Sequence, residues 1–158
     1  MISNSSKYAI RAVLYLAIHS SESNKYSPQQ IAEEINIPAP FLAKTLQQLS
    51  KYKIISSTKG RNGGFYLTNL DKEGSVISIV KCIDGFNKLK GCFLGLPTCS
   101  DENPCAIHHL AAPLRNNLIK ELSQRSIGEF AHTTIEEKEY LINFLFYKRT
   151  AAKIQLIP

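Results

Sequence analysis

Ser27-Pro28-Gln29-Gln30-Ile31-Ala32-Glu33-Glu34-Ile35-Asn36-Ile37-Pro38-Ala39-Pro40-Phe41-Leu42-Ala43-Lys44-Thr45-Leu46-Gln47-Gln48-Leu49-Ser50-Lys51-Tyr52 is the stretch whose reading decides the fold. Ser27 stands where a helix N-cap is needed. Pro28 fills the first helical position, where a missing N–H costs nothing, and Gln30 can reach back to complete a capping box. Asn36-Ile37-Pro38 stops this helix within about two turns, because proline drives the preceding residue out of the helical region. Ile31, Ala32 and Ile35 supply its buried face. A longer helix is predicted over 40–52, with Phe41, Leu42, Leu46 and Leu49 on one face and Lys44, Gln47, Gln48 and Lys51 on the other. A short helix, a tight turn and a longer helix with a basic outer face form a helix-turn-helix.

The next residues extend that motif. Ile54 to Thr58 is β-prone, Lys59-Gly60-Arg61-Asn62-Gly63-Gly64 is a turn, and Phe65-Tyr66-Leu67 is β-prone again. Two short strands around a glycine-rich basic tip make a hairpin, the wing of a winged helix. Its glycines permit positive φ and close approach to a phosphate backbone, and Arg61 can reach into a groove. Upstream, an amphipathic helix is predicted from about Ser6 to Ser20, capped by Ser5 or Ser6. Ile10, Val13, Leu14, Ala17 and Ile18 follow helical spacing and Arg11 interrupts the run, so it does not read as a signal-peptide core. No apolar run is long enough to cross a bilayer. A cytoplasmic, reducing setting is expected, where cysteines serve more often as ligands or redox groups than as structural disulfides.

Charge separates the two halves. Residues 1–72 carry nine Lys/Arg against four acids, and residues 73–158 carry ten against nine. A net of +5 in the first half against +1 in the second points the first half at a polyanion. The second half opens with a short buried helix ending at Gly85, in which Cys82 shares a face with Ile79 and Ile83 and reads as a packed thiol.

Three of the four cysteines lie in one short stretch, Cys92-Phe-Leu-Gly-Leu-Pro97-Thr-Cys99-Ser-Asp-Glu-Asn-Pro104-Cys105-Ala-Ile-His108-His109. Packed as core hydrophobes they would sit in a periodic element, but Gly91, Gly95, Pro97 and Pro104 flank them. Three thiols and a nearby histidine are the composition of a metal or iron–sulfur site. The spacing lacks the paired Cys-x-x-Cys of a zinc ribbon, which puts iron–sulfur ahead of zinc, with free cysteines in a loop as the plain alternative. Beyond the loop, Ile107, Leu110, Leu114, Leu118 and Leu122 form a stripe that needs a partner, expected to be its own copy in a homodimer. Pro113 either kinks this helix or opens it, leaving 104–111 as a separate turn. Residues 126–131 read as a break, and Thr134 with Glu137 as a capping box opening a last amphipathic segment through Leu141, Leu145 and Arg149. Phe144, Phe146 and Tyr147 read as docking residues, and 154–158 as a loose end. No nucleotide-binding glycine loop and no catalytic dyad is apparent, and His19 and His132 read as surface or cap residues, so an enzyme is not expected.

Together these residues resemble the IscR/NsrR-type iron–sulfur winged-helix repressors. The resemblance rests on Ser5-Ser-Lys7-Tyr8-Ala-Ile-Arg11-Ala-Val-Leu-Tyr15-Leu-Ala17, on Ile31-Ala32 leading to Ile37-Pro38, on Phe41 to Leu46, on the wing from Gly60 to Leu67 and on the three-cysteine loop. It covers residues 1 to about 131. It implies a mainly α fold with a small β-hairpin, comprising a winged helix-turn-helix DNA-binding domain (1–72) and a cysteine-bearing loop with a long C-terminal dimerisation helix (73–131); the residues beyond the resemblance read as a helical extension (132–158). It also implies a dimeric regulator whose affinity for a double-stranded operator depends on an iron–sulfur cluster held by Cys92, Cys99, Cys105 and His108. A [2Fe–2S] cluster is favoured, but the first cysteine gap is one residue longer than in histidine-ligated relatives, which leaves [4Fe–4S] open. Other members take an acidic fourth ligand near the N-terminus, where this chain has Lys7 and Tyr8. Expected DNA contacts are Ala39, Pro40, Ala43 and Lys44 at the reading end of the second motif helix, Arg61 on the wing, and Lys51, Lys53 and Lys59 on phosphates. A zinc-binding or thiol-sensing regulator without a cluster is the alternative.

Overall fold

The structure is a computed structural model that describes residues 2–136. Helix α1 (Asn4–His19) runs through the centre, flanked by α2 (Pro28–Ile35), α3 (Ala39–Lys51), α5 (Val76–Asp84) and α8 (Ile127–Glu136). Its cap is Ser3, not Ser5 or Ser6: the Ser3 hydroxyl accepts from the Ser6 N–H at 3.1 Å. Helix α1 is amphipathic with a wide buried face. Ala9, Ala12, Val13, Leu14, Tyr15, Leu16 and Ala17 are all buried, because helices cover it on several sides. Asn4, Lys7 and His19 are exposed, and Tyr8, Ile10, Arg11 and Ile18 stay part-exposed.

Helix α2 begins as its sequence dictates. The Ser27 hydroxyl accepts from Gln30 N–H and the Gln30 side chain accepts from Ser27 N–H. Asn36 ends the helix at φ 53, in the left-handed region that asparagine tolerates. In α3, Leu42, Thr45, Leu46 and Leu49 are buried, whereas Phe41 stays partly exposed and meets the edge of Tyr8 at 5.8 Å between ring centroids.

The wing is a two-stranded antiparallel sheet, β1 (Ser56–Thr58) and β2 (Gly64–Tyr66), in the register Ser57 to Phe65. Tyr26 bridges to Phe65 and ties the hairpin to the segment before α2. Only Gly60 of the tip glycines uses positive φ (103°). Gly63 serves the fold itself, since a Cβ there would lie 2.3 Å from the Thr58 carbonyl oxygen.

Two short helices were not expected: α4 (Asn69–Glu73), opened by a Thr68–Asp71 capping box, and α6 (Phe86–Lys90), entered through Gly85 at φ 77. The predicted buried helix ending at Gly85 is α5. Helix α7 (His108–Gln124) runs uninterrupted through Pro113. The missing N–H is at the sixth residue, so one internal hydrogen bond is given up, and 104–111 is no separate turn. The expected break at 126–131 is wrong. The Ser126 N–H donates to Glu129 at 2.6 Å and the Glu129 N–H to the Ser126 hydroxyl at 3.1 Å, opening α8 at once. Ile127, fully buried, then anchors α8 in the core, and its N–H donates to the Gly74 carbonyl at 2.7 Å. Thr134 lies inside α8, not at a cap. Glu137, the expected amphipathic segment, its aromatics and 154–158 lie outside the described residues.

Candidate metal centre and nucleic-acid interface

The cysteine loop, residues 91–107, is held by local turns. Gly95 N–H donates to the Cys92 carbonyl at 3.0 Å, with Gly95 at φ 76, and Ser100 N–H donates to the Asn103 carbonyl at 3.2 Å. Arg115 of α7 donates to the Gly91 carbonyl at 3.3 Å. Phe93, Leu94 and Leu96 are exposed.

These turns gather the sulfurs of Cys92, Cys99 and Cys105 within 4.8 Å of one another, with Cys92 and Cys105 at 3.7 Å. Burial opposes ionisation of Cys92. The backbone N–H groups of Leu96 and Leu94 and the thiols of Cys99 and Cys105 outweigh it and bring its pKa down to about 7. Cys99 receives a backbone hydrogen bond from Cys105 that favours its thiolate, but desolvation and the neighbouring Cys92 and Cys105 together push it up. The site thus favours one thiolate first, with backbone donors already turned on its sulfur.

His108, buried at the start of α7, places Nδ1 3.1 Å from the Cys99 sulfur, and its Nε2 lies 2.8 Å from Asp101 Oδ1. His109 is exposed and stacks edge-on to His108 at 5.8 Å between centroids. Asp101 was not anticipated, because no periodicity marks a loop residue that reaches a helix seven positions on. Three thiols and an imidazole are the donor set of zinc and iron–sulfur sites, so the residues present fit such a group. Cys82 stands apart from the cluster, packed against the core, with burial pushing its thiol pKa up and a Gln48 hydrogen bond opposing this. It is half-buried, where the sequence led us to expect full burial.

In the first turns of α3, Pro40 and Lys44 are exposed, while Ala39 and Ala43 are half-buried beside them. Lys51, Lys53, Lys59 and Arg61 are exposed at the end of α3 and along the wing. Lys53 adopts φ 57 in the turn that leads from α3 to β1. Among the described residues, no side-chain hydrogen bond or ion pair engages Lys44, Lys51, Lys53, Lys59 or Arg61, so these charges are free to meet an external anion. Lys25, by contrast, lies over the Tyr66 ring and Lys88 pairs with Asp84.

The profile of the Rrf2 family, described as iron-dependent transcriptional regulators, matches residues 2–133. A provisionally named HTH-type transcriptional regulator of Aquifex aeolicus is 31% identical over 140 residues, covering 87% of this chain and 94% of its own. The HTH-type transcriptional regulator IscR of Photorhabdus laumondii is 26% identical over 131 residues, covering 83% and 79%. Among solved structures, T. potens IscR is similar in fold at a TM-score of 0.64 and 19% identity, covering 88% of this chain and 91% of its own. No helix among the described residues is long and apolar enough to cross a membrane. A winged helix-turn-helix with free basic groups on its outer face, three converging cysteines and a match to nearly all the described chain make this protein a member of the Rrf2 family of transcriptional regulators, not an enzyme.

Proposed function

We propose that this regulator is a cytoplasmic homodimer that represses transcription from a double-stranded operator, and that an iron–sulfur cluster controls its affinity. The observation that carries this reading is the convergence of the Cys92, Cys99 and Cys105 sulfurs within 4.8 Å on an exposed loop. His108 would complete the ligand set. A [2Fe–2S] cluster is favoured over [4Fe–4S]. When bound, such a group supplies iron–thiolate bonds that oxidants, nitric oxide or iron shortage can break.

The chain's own residues do the rest. Ala39, Pro40, Ala43 and Lys44 present the reading end of α3 to the major groove, and Arg61 directs the wing to the minor groove. Lys51, Lys53 and Lys59 neutralise phosphates, which positions the head without reading sequence. The dimer would form along α7, where Leu110, Leu114 and Leu118 are exposed and line a groove of about 410 Å³ with Ile2 and Phe93. In this arrangement 1–72 forms the DNA-binding unit, 73–131 the cluster loop and dimer helix, and 132–158 an extension. Ligation fixes the loop to the start of α7. Without it, only hydrogen bonds order the loop, those of the turns around Gly95 and Asn103, of Arg115 with Gly91 and of His108 with Asp101 and Cys99, and the spacing of the two heads is less constrained. A pair of half-sites accepts one spacing, so this lowers specific affinity.

Anaerobic purification with iron and sulfide analysis, followed by duplex binding of loaded and stripped protein, tests the reading. Brown protein with visible absorption and a loaded form that binds its operator more tightly are expected. A second reading, thiol sensing without a cluster, draws on the 3.7 Å separation of the Cys92 and Cys105 sulfurs. Colourless protein with zinc, or with an oxidant-formed disulfide that alters binding, would replace the first reading with that one.

A further inference from the structure

His108 touches two very different partners. Its Nε2 is 2.8 Å from Asp101 Oδ1, and its Nδ1 is 3.1 Å from the Cys99 sulfur. A neutral imidazole carries one ring proton, and a carboxylate only accepts. The Asp101 bond therefore draws that proton to Nε2 and leaves the Nδ1 lone pair aimed at the sulfur cluster. The ring is held there from both sides. His108 is 7% exposed, and its N–H donates to the Cys105 carbonyl at 3.0 Å, so its backbone is tied to a second residue of the triad.

We propose that Asp101 is a positioning residue that commits His108 to bind the metal centre through Nδ1 and strengthens it as a donor. The inference rests on the cluster-bearing reading above and deepens it, since nothing in the cysteine spacing specifies which nitrogen binds. A carboxylate behind a ligating imidazole raises the electron density of the ring, which lowers the reduction potential of the centre and slows its loss. The Asp101 side chain is 99% exposed, so water screens its charge and the effect falls at the low end of what such partners contribute. That exposure also means its replacement leaves the fold intact.

The experiment uses full-length protein reconstituted anaerobically with iron and sulfide: wild type, Asp101→Asn, Asp101→Ala and His108→Ala. In wild type labelled with ¹⁵N at Nδ1 of histidine, pulsed EPR of the reduced centre should show a strong, directly bonded coupling, and a label at Nε2 only a weak one. Both Asp101 variants should bind iron and sulfide initially as wild type does. Their centres should have a higher midpoint potential, Asp101→Ala above Asp101→Asn, and be lost in air faster, by roughly tenfold in Asp101→Ala. His108→Ala should lose the nitrogen coupling altogether. A strong coupling from the Nε2 label, or Asp101 variants with wild-type potential and air stability, would overturn the assignment while leaving the cluster reading standing. Wild type that takes up no iron and sulfide would overturn the cluster reading and this inference with it.

Discussion

Gln48 of α3 donates from Nε2 to the backbone carbonyl of Cys82 in α5 at 2.8 Å, across thirty-four residues of sequence. It links the helix proposed to read DNA to the last turn of the helix that leads, through Gly85 and α6, to the cysteine loop. Removing it should do two separable things. Gln48→Ala should cost about 1 kcal/mol, the ordinary net worth of one such bond, in urea unfolding. It should also narrow the difference in operator affinity between loaded and stripped protein, because α3 loses a tie to the loop-bearing side. An unchanged affinity ratio would confine Gln48 to a stabilising role.

Asp84, at the end of α5, ties that helix to the start of α1. It accepts from the Ser3 N–H at 2.9 Å and the Ser3 hydroxyl at 2.5 Å, and Lys88 lies 3.7 Å away. Desolvation raises its pKa, but the two Ser3 hydrogen bonds, with the nearby Ser6 hydroxyl and Lys88, outweigh it and hold the carboxyl below its usual 3.8. A folded-state pKa below the unfolded one contributes stability above the unfolded value and loses it as pH falls through the folded value. Asp84→Asn should thus destabilise the protein by about 1–3 kcal/mol near neutral pH. The gap from wild type should shrink as pH drops below 3.8, as thermal unfolding across that range would reveal.

Lys44→Ala and Arg61→Ala should each weaken DNA binding, and the loss for Arg61 should be larger on specific than on random duplex, by about 1–3 kcal/mol. Lys51→Ala should weaken both alike and flatten the salt dependence by about one charge. Fluorescence anisotropy across a salt series separates these cases. A wild type that binds all duplexes equally would contradict the proposed reading of sequence by α3.

Cys92→Ala, Cys99→Ala and Cys105→Ala should each abolish visible absorption after anaerobic reconstitution, while Cys82→Ala should keep it. In stripped protein at neutral pH, Cys82 should also be slow to alkylate, since burial raises its pKa and the uncharged thiol is a poor nucleophile. Loss of colour in Cys82→Ala alone would reverse our assignment of the four thiols.

Leu114 is 67% exposed on α7 beside Leu110 and Leu118. Leu114→Asp should convert the dimer to monomer in sedimentation experiments, with helical content unchanged, because the residue has nothing to lose within the protomer. The four cysteine variants should stay dimeric. A dimeric Leu114→Asp would move the interface elsewhere.

The sequence by itself determined whatever depends on near neighbours. The Ser27–Gln30 capping box, the stop at Asn36, the glycine tip of the hairpin and the crowding of three cysteines are all local chemistry, read from spacings of a few residues. Hydrophobic periodicity likewise located α3, α5 and α7, because it states that a face will be covered. It does not state by what. Tertiary structure therefore decided how wide the buried face of α1 is and that Leu122 of the α7 stripe turns inward while Leu110, Leu114 and Leu118 face out. It also decided that the chain re-enters the core at Ile127 where the sequence read as a break. The cysteine loop shows the same division. Its composition announced a ligand set, but the meeting of Asp101, His108 and Cys99 depends on how two turns fold a segment with no period back onto the first residue of α7. Contacts between distant backbone segments are set by the packing of the whole chain, and no short spacing in the sequence encodes them.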